Sequence, residues 1–98
     1  MALPEVDYIW MDGELVPWAD AKVHVLTHAL HYGSGVFEGI RCYETEIGPA
    51  VFRLIEHMQR FERSAKMLFM DLGRSVDEMA EAVKETIRAN KLPACYIR

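Results

Sequence analysis

The chain has few cysteines and no long apolar run, and each shortage excludes a class of protein. Cys42 and Cys95 are the only cysteines among 98 residues, and both have apolar neighbours. This favours buried free thiols in a reducing compartment over a disulfide-stabilised secreted domain. No apolar run approaches the ~20 residues that span a bilayer, and the N-terminus lacks the basic and apolar regions of a signal peptide. We therefore expect a cytoplasmic protein that does not cross a membrane.

The sequence also lacks an excess of positive charge. Lysine and arginine number 11 against 15 acidic residues, which gives a formal net charge of −4. The basic residues are scattered singly, whereas a nucleic-acid surface needs clustered cations to neutralise phosphates. With 51% hydrophobic and 27% charged residues, the composition is that of an ordinary globular protein. We predict one domain over residues 1–98, with one modest core and no nucleic-acid partner.

The first half of the chain has the patterns of β-strands. Aromatic and β-branched residues flank Asp12-Gly13, the strongest short signal for a β-hairpin. A second strand pair is predicted at residues 39–43 and 50–54. The turn between them is expected over residues 44–49, which contain a Gly-Pro pair.

The second half changes to a helical period. Apolar residues recur at helical spacing over 54–68, and Gly73 follows as the predicted stop. Ser75 and Glu78 have the spacing of a capping box, and the apolar stripe of a second helix then runs to Asn90.

Residues 94–98 return to a strand pattern, and the sequence stops within it. The predicted order β-β-β-β-α-α-β is typical of an α+β domain in which an antiparallel sheet carries two helices packed on one face. Because a natural domain seldom ends inside a strand, we also expect a chain that lacks its second half.

A glycine-rich segment lies at residues 28–41, HALHYGSGVFEGIR. It has neither the G-x-G-x-x-G spacing of a dinucleotide site nor the Lys-Ser/Thr end of a P-loop. One interpretation is a turn between two elements. Another is a place where the backbone approaches a small apolar ligand, with Tyr32 and Phe37 lining the pocket.

Three histidines in the same region have the pattern H-x3-H-x2-H. On a helix, His24, His28 and His31 would share one face, as metal ligands require. No acidic residue or cysteine lies nearby to complete a tetrahedral site. We therefore favour packed or hydrogen-bonded histidines and predict no metal.

Three further residues could belong either to a site or to the protein surface. Arg60 lies in the middle of the first predicted helix, where it is either solvated or a bidentate partner for phosphate. Tyr96 and Arg98 are two apart on the last strand and so share one side of the sheet. A phenol and a guanidinium on one side suit a carboxylate, and they also suit ordinary packing.

Taken together, these motifs resemble one family. The segments DYIWMDGELVPWADAKVHVLTHALHYGSGVFEGIRCYET, GPAVFRLIEHMQRFERSAKML and ACYIR are similar to the N-terminal part of branched-chain amino acid aminotransferases, which are pyridoxal-phosphate enzymes of fold type IV. The resemblance covers residues 7–98, and HALHYGSGVFEGIR with EHMQR is specific. D-amino acid aminotransferases and aminodeoxychorismate lyases share only a shorter Y-G-x-G-x-F-E pattern.

The resemblance implies roles for five residues. Arg60 matches the arginine that holds the phosphate of pyridoxal 5'-phosphate. Phe37 and Gly39 match positions that line the pocket for the aliphatic side chain of the substrate. Tyr96 matches a residue near the substrate α-carboxylate, and Arg98 matches the arginine that takes the second carboxylate of glutamate.

The resemblance also implies partners. Tyr32 matches a tyrosine that reaches into the active site of the neighbouring subunit, so a homodimer or a larger homo-oligomer is expected. The implied reaction moves the amino group of Leu, Ile or Val to 2-oxoglutarate, giving branched-chain 2-oxo acids and glutamate.

The lysine that holds the cofactor covalently lies, by the same resemblance, in a larger C-terminal domain. None of the lysines at the positions considered (Lys22, Lys66, Lys84 and Lys91) falls on a family motif. We therefore expect no catalytic lysine in these residues, and expect the 98-residue chain to be an inactive small domain when it is alone. The alternatives are an inactive structural or interaction domain with the same fold, or another enzyme of this class such as a D-amino acid aminotransferase.

Overall fold

The N-terminal strands form the predicted hairpin. The computed structural model describes residues 4–98, and its first two strands, β1 (Tyr8–Met11) and β2 (Glu14–Pro17), pair antiparallel with Met11 opposite Glu14. Asp12 and Gly13 both have positive φ, at 51° and 98°, as a two-residue hairpin turn requires. The hairpin prediction is confirmed.

A short helix that the sequence pattern did not predict follows the hairpin. After one 3₁₀ turn at Trp18–Asp20, helix α1 covers His28–Tyr32. Gly33 ends α1 with a left-handed φ of 66°, and its amide donates to the carbonyl of Ala29. At Gly33, therefore, the glycine serves as a turn residue.

The remaining strands make a second sheet. Strand β3 (Ile40–Thr45) lies between β4 (Gly48–Val51) and β5 (Cys95–Ile97), and both neighbours pair with it antiparallel. The described strands thus form two antiparallel sheets, the hairpin being separate from the three-stranded one.

The second turn differs from its prediction. Only Glu46 and Ile47 connect β3 to β4, while Gly48 and Pro49 belong to β4 itself. Thr45 closes the turn, because its hydroxyl donates to the Gly48 carbonyl at 2.6 Å. The predicted turn over residues 44–49 was therefore too long.

Helix α2 (Leu54–Met67) starts where the second strand was predicted to end. It also stops earlier than predicted: Leu68 is its C-cap, Phe69 has a positive φ of 56°, and Gly73 lies beyond the stop. Leu68 and Phe69 are exposed, so the apolar stripe that α2 packs inward already ends at Ala65.

Helix α3 (Val76–Asn90) begins as predicted. The hydroxyl of Ser75 accepts from the amide of Glu78 at 3.1 Å, and the Glu78 carboxylate accepts from the amide of Ser75 at 3.2 Å. The capping box is confirmed.

The core lies between the three-stranded sheet and the two long helices. Its buried cluster joins one strand residue to two residues from each helix, namely Ile40, Leu54, Met58, Met79 and Ala80. Val51 and Ile97 pack against this cluster from the flanking strands, so both helices cover the same face of the sheet. The antiparallel α+β class is confirmed, and no helix within residues 4–98 is both long enough and apolar enough to cross a membrane.

Candidate active site

The candidate site is organised by three consecutive residues that precede β3. Phe37, Glu38 and Gly39 follow the turn at Gly33 and lead directly into the buried Ile40. Side chains alternate in direction along an extended segment. As a result, Glu38 contacts helix α2, whereas Phe37 and Gly39 contact residues of β5 and the chain end beyond it.

On the helix side, Glu38 forms a network with two residues of α2. Arg60 donates two parallel hydrogen bonds to its carboxylate, from Nε to Oε2 at 2.8 Å and from Nη2 to Oε1 at 2.7 Å. His57, one turn earlier on α2, places Nδ1 2.7 Å from Oε1 and donates there to the ionised carboxylate.

This network explains the charge state of Glu38. Only 8% of the residue is exposed, and burial alone would raise its carboxyl pKa. The hydrogen bonds from Arg60 outweigh burial, with His57 assisting, so the pKa of Glu38 falls from 4.5 to about 2. The same pair raises the pKa of Arg60. Glu38 is therefore a carboxylate throughout the physiological range.

Arg60 retains free donors on its outer side. The Arg60 side chain is 60% exposed, and among the contacts of the described residues its Nη1 makes no hydrogen bond. A guanidinium that is anchored at one edge and open at the other suits an oxyanion such as phosphate. The donor set therefore fits the phosphate of pyridoxal 5'-phosphate.

On the strand side, the three remaining sequence-predicted site residues cluster around Phe37. The guanidinium carbon of Arg98 lies 4.6 Å from the centroid of the Phe37 ring. Nη2 of Arg98 donates to the hydroxyl of Tyr96 at 3.3 Å. A Cβ atom on Gly39 would overlap that hydroxyl, so the absence of a side chain at Gly39 allows Tyr96 to lie where it does.

A second guanidinium completes this cluster. Arg41 lies opposite Tyr96 in the β3–β5 register, and its Cζ is 5.3 Å from the centroid of the Tyr96 ring. The Cζ of Arg98 is 5.7 Å from the same centroid. Two cations beside one phenol make this side of the sheet suited to an anionic group.

Tyr32 is not part of either group within this chain. It lies on α1, is largely exposed, and its described ring contacts are with His28 at 4.5 Å and His31 at 6.4 Å between centroids. The structure thus brings five of the six predicted residues to the segment Phe37–Gly39 and leaves Tyr32 apart.

The three histidines make hydrogen bonds of their own. His24 accepts from the amide of Leu26, His31 donates to the carbonyl of Val25, and His28 pairs with the hydroxyl of Ser34. These contacts agree with the hydrogen-bonded interpretation. Within residues 4–98 no group of three or more His, Cys, Asp or Glu side chains is arranged to hold a metal ion.

Sequence reasoning missed Glu38, His57 and Arg41. A signal for His57 was present, since it is three residues before Arg60 and so shares one face of α2. Glu38 lies between two residues that were selected, but its partner is 22 positions away along the chain. Only the folded structure shows that pairing.

With this geometry in view, the comparison with known proteins decides the family. Residues 35–98 match the family described as amino-transferase class IV. The chain belongs to this family. The matched range contains every predicted site residue except Tyr32, together with Glu38, His57 and Arg41.

Named relatives refine the assignment within the class IV aminotransferases. The branched-chain-amino-acid aminotransferase of Escherichia coli (strain K12) is 55% identical over 98 residues, which cover all of this chain and 32% of that protein. Class IV enzymes depend on pyridoxal phosphate.

Solved structures agree in fold. A branched-chain amino acid aminotransferase from T.th., complexed with N-(5'-phosphopyridoxyl)-L-glutamate, superposes with a TM-score of 0.91 at 53% identity. It matches over 94% of this chain and 31% of its own. The same enzyme complexed with 4-methylvaleric acid gives the same values. This chain therefore spans about a third of the length of the aminotransferases it matches.

Proposed function

We propose that this chain is the N-terminal small domain of a branched-chain amino acid aminotransferase. The observation that carries the proposal is the contact pattern of Phe37–Gly39. Three successive residues meet Arg98, Arg60 and Tyr96, the residues that the family resemblance assigns to the second carboxylate, the cofactor phosphate and the α-carboxylate.

The phosphate end of the proposed site belongs to Arg60. Its outer donors would hold the phosphate of pyridoxal 5'-phosphate, while Glu38 occupies its inner edge. The bound cofactor supplies an electron sink for the amino-acid carbon that loses its proton. The relative that is solved with a phosphopyridoxyl group supports this choice of cofactor.

The substrate end lies between Phe37, Gly39, Tyr96 and Arg98. Phe37 supplies an apolar wall for a branched aliphatic side chain, and Arg98 at its rim supplies a charge for the side-chain carboxylate of glutamate. One pocket then serves both amino donors. The complexes of one relative with a glutamate derivative and with 4-methylvaleric acid support the same pair of substrate types, with 2-oxoglutarate as the matching acceptor.

The rest of the proposed enzyme lies outside these residues. A C-terminal domain would supply the lysine that bonds to the cofactor and transfers the proton. Tyr32, exposed on α1, would reach the active site of a neighbouring subunit in a homodimer or larger homo-oligomer. The free thiols of Cys42 and Cys95 support a reducing location, the cytoplasm.

The first test is the intact mass of the protein expressed from its natural gene, followed by an assay. We expect a mass about three times 11.3 kDa per chain, given the share of the relatives that this chain covers. That complete protein should convert L-leucine and 2-oxoglutarate into glutamate with pyridoxal 5'-phosphate. The 98-residue chain alone should not.

Two results would contradict the proposal. Sustained glutamate formation by the isolated chain would show that it contains its own catalytic machinery. Preference of the complete protein for D-alanine over L-leucine would move it to the D-amino acid aminotransferases instead.

A further inference from the structure

Glu38 is the only charged residue that is buried among residues 4–98. Burying a carboxylate is costly unless it is paired and hydrogen-bonded. Here the two oxygens receive three short contacts, from both donors of the Arg60 fork and from His57. Such a fully satisfied group restricts the conformation of its partners.

The restriction falls mainly on Arg60, because little else holds it. Its guanidinium is otherwise open to solvent, and an exposed arginine samples many rotamers. The two parallel hydrogen bonds to Glu38 fix both the position and the plane of the guanidinium. The plane decides in which direction the remaining donors on Nη1 and Nη2 point.

We propose that Glu38 is a positioning residue for the phosphate site, and that His57 holds the Glu38 carboxylate in place. The inference rests on the proposed phosphate role of Arg60. Glu38 does not itself touch the phosphate, since both its oxygens are engaged by the two residues of α2.

The charges make this inference distinguishable from a purely electrostatic effect. Glu38 and Arg60 together carry no net charge, so replacing Glu38 by glutamine adds one positive charge to the site. Simple attraction would then bind a phosphate dianion more tightly. Positioning demands the opposite result, because the fork loses its anchor and Arg60 becomes free to turn away.

The test uses the complete natural protein and two forms of the cofactor. Dissociation constants are measured by absorbance for pyridoxal 5'-phosphate and for pyridoxal, which lacks the phosphate. We expect Glu38→Gln to weaken binding of the phosphate form roughly tenfold, as loss of an outer-shell partner does at metal sites, and to leave pyridoxal unchanged. The matched control is Glu56→Gln, which changes an exposed carboxylate of the same helix that pairs with Arg53.

Three results would overturn the inference. Unchanged or tighter binding of pyridoxal 5'-phosphate by Glu38→Gln would exclude positioning. An equal loss for both cofactor forms would show general damage to the fold. If Glu38→Gln does not fold, Arg60→Lys replaces it, because lysine keeps the charge but cannot form the fork, and undiminished phosphate binding by that variant would exclude positioning as well.

A variant of Arg60 itself separates this inference from the proposed function. If Arg60→Met does not reduce the preference for the phosphate form, the proposed role of Arg60 is wrong. If Arg60→Met reduces that preference but Glu38→Gln does not, Arg60 keeps its role and only the positioning role of Glu38 is wrong. Once Arg60 is methionine, adding Glu38→Gln should cost nothing further, since Glu38 acts only through Arg60.

Discussion

Gly39 shows how a single residue shapes the substrate end of the site. Its importance comes from the space beside it, since a Cβ there would overlap the Tyr96 hydroxyl. Gly35, four positions earlier, has open space at the equivalent point. The two glycines of one segment therefore make a matched pair for substitution.

We predict that Gly39→Ala in the complete protein raises the KM for L-leucine about tenfold while the thermal midpoint changes by only a few degrees. The methyl group displaces the end of a flexible side chain, which costs the fold little but moves the hydroxyl proposed to meet the α-carboxylate. Steady-state kinetics and thermal melting check this. Gly35→Ala is the control, and an equal rise in KM for both variants would contradict the assignment.

Glu38 leads to a prediction about pH. Its pKa is lowered in the folded protein from 4.5 to about 2, so its ion pair stabilises the fold above about pH 4.5. That stabilisation is lost progressively as the pH falls from about 4.5 towards 2. The thermal midpoint of the wild type should exceed that of Glu38→Gln at pH 7, and the difference should shrink in acid.

Melting curves of the two proteins between pH 7 and pH 3 provide the measurement. Glu56→Gln is again the control, because its partner Arg53 is exposed and surface ion pairs contribute little. A wild-type advantage that stays constant down to pH 3 would be incompatible with the pairing of Glu38.

At the scale of elements, α3 owes its sharp start to two side chains. Ser75 and Glu78 satisfy each other's backbone amides, which no residue of the helix body could do. We predict that Ser75→Ala destabilises the first turn by about 1 kcal/mol, and that the amide of Glu78 then exchanges with deuterium roughly fivefold faster.

Ser75→Asp provides the comparison, because aspartate is an equally good N-cap and should restore slow exchange. If alanine and aspartate at position 75 exchange alike, the cap does not control this end of the helix.

The elements that were predicted correctly are those whose signals are local. The Asp12-Gly13 turn and the Ser75 cap each depend on neighbours within four residues, and the structure confirms both. The early end of α2 was missed because Leu68 and Phe69 are apolar yet exposed, so composition extended the stripe too far. The separation into two sheets depends on pairing between distant segments, which one sequence does not reveal.

The candidate site divides in the same way. The resemblance selected residues such as Arg60 and Tyr96 from motifs, and the structure brings them to one short segment. The ion pair between Glu38 and Arg60 escaped, because an exposed helical arginine and a glutamate in a loop give no sign of each other across 22 positions. Burial and pairing are properties of the folded chain.

At the scale of the whole molecule, one surface is unusually apolar. Six large hydrophobic residues between positions 23 and 37 are each 60–74% exposed: Val23, Val25, Leu26, Leu30, Tyr32 and Phe37. We call this the 23–37 surface. Monomeric proteins rarely leave such a surface uncovered, so it is suited to contact with another subunit or domain.

We predict that Leu26→Asp weakens self-association of the complete protein, because a buried carboxylate would lie in an apolar contact. Sedimentation velocity should show a shift towards monomer at micromolar concentration. The control is Ile47→Asp, at a residue that is 97% exposed on the turn between β3 and β4, outside the 23–37 surface. An equal shift for both variants, or none for either, would contradict the role of this surface.

The alternation of contacts along Phe37–Gly39 has a consequence for the length of the chain. A substitution in this segment alters one contact at a time. Removing or adding a single residue would instead exchange its two sides, so that an aromatic ring faced α2 and a carboxylate faced Tyr96 and Arg98. Natural variation and protein engineering should therefore tolerate altered side chains here far better than altered spacing.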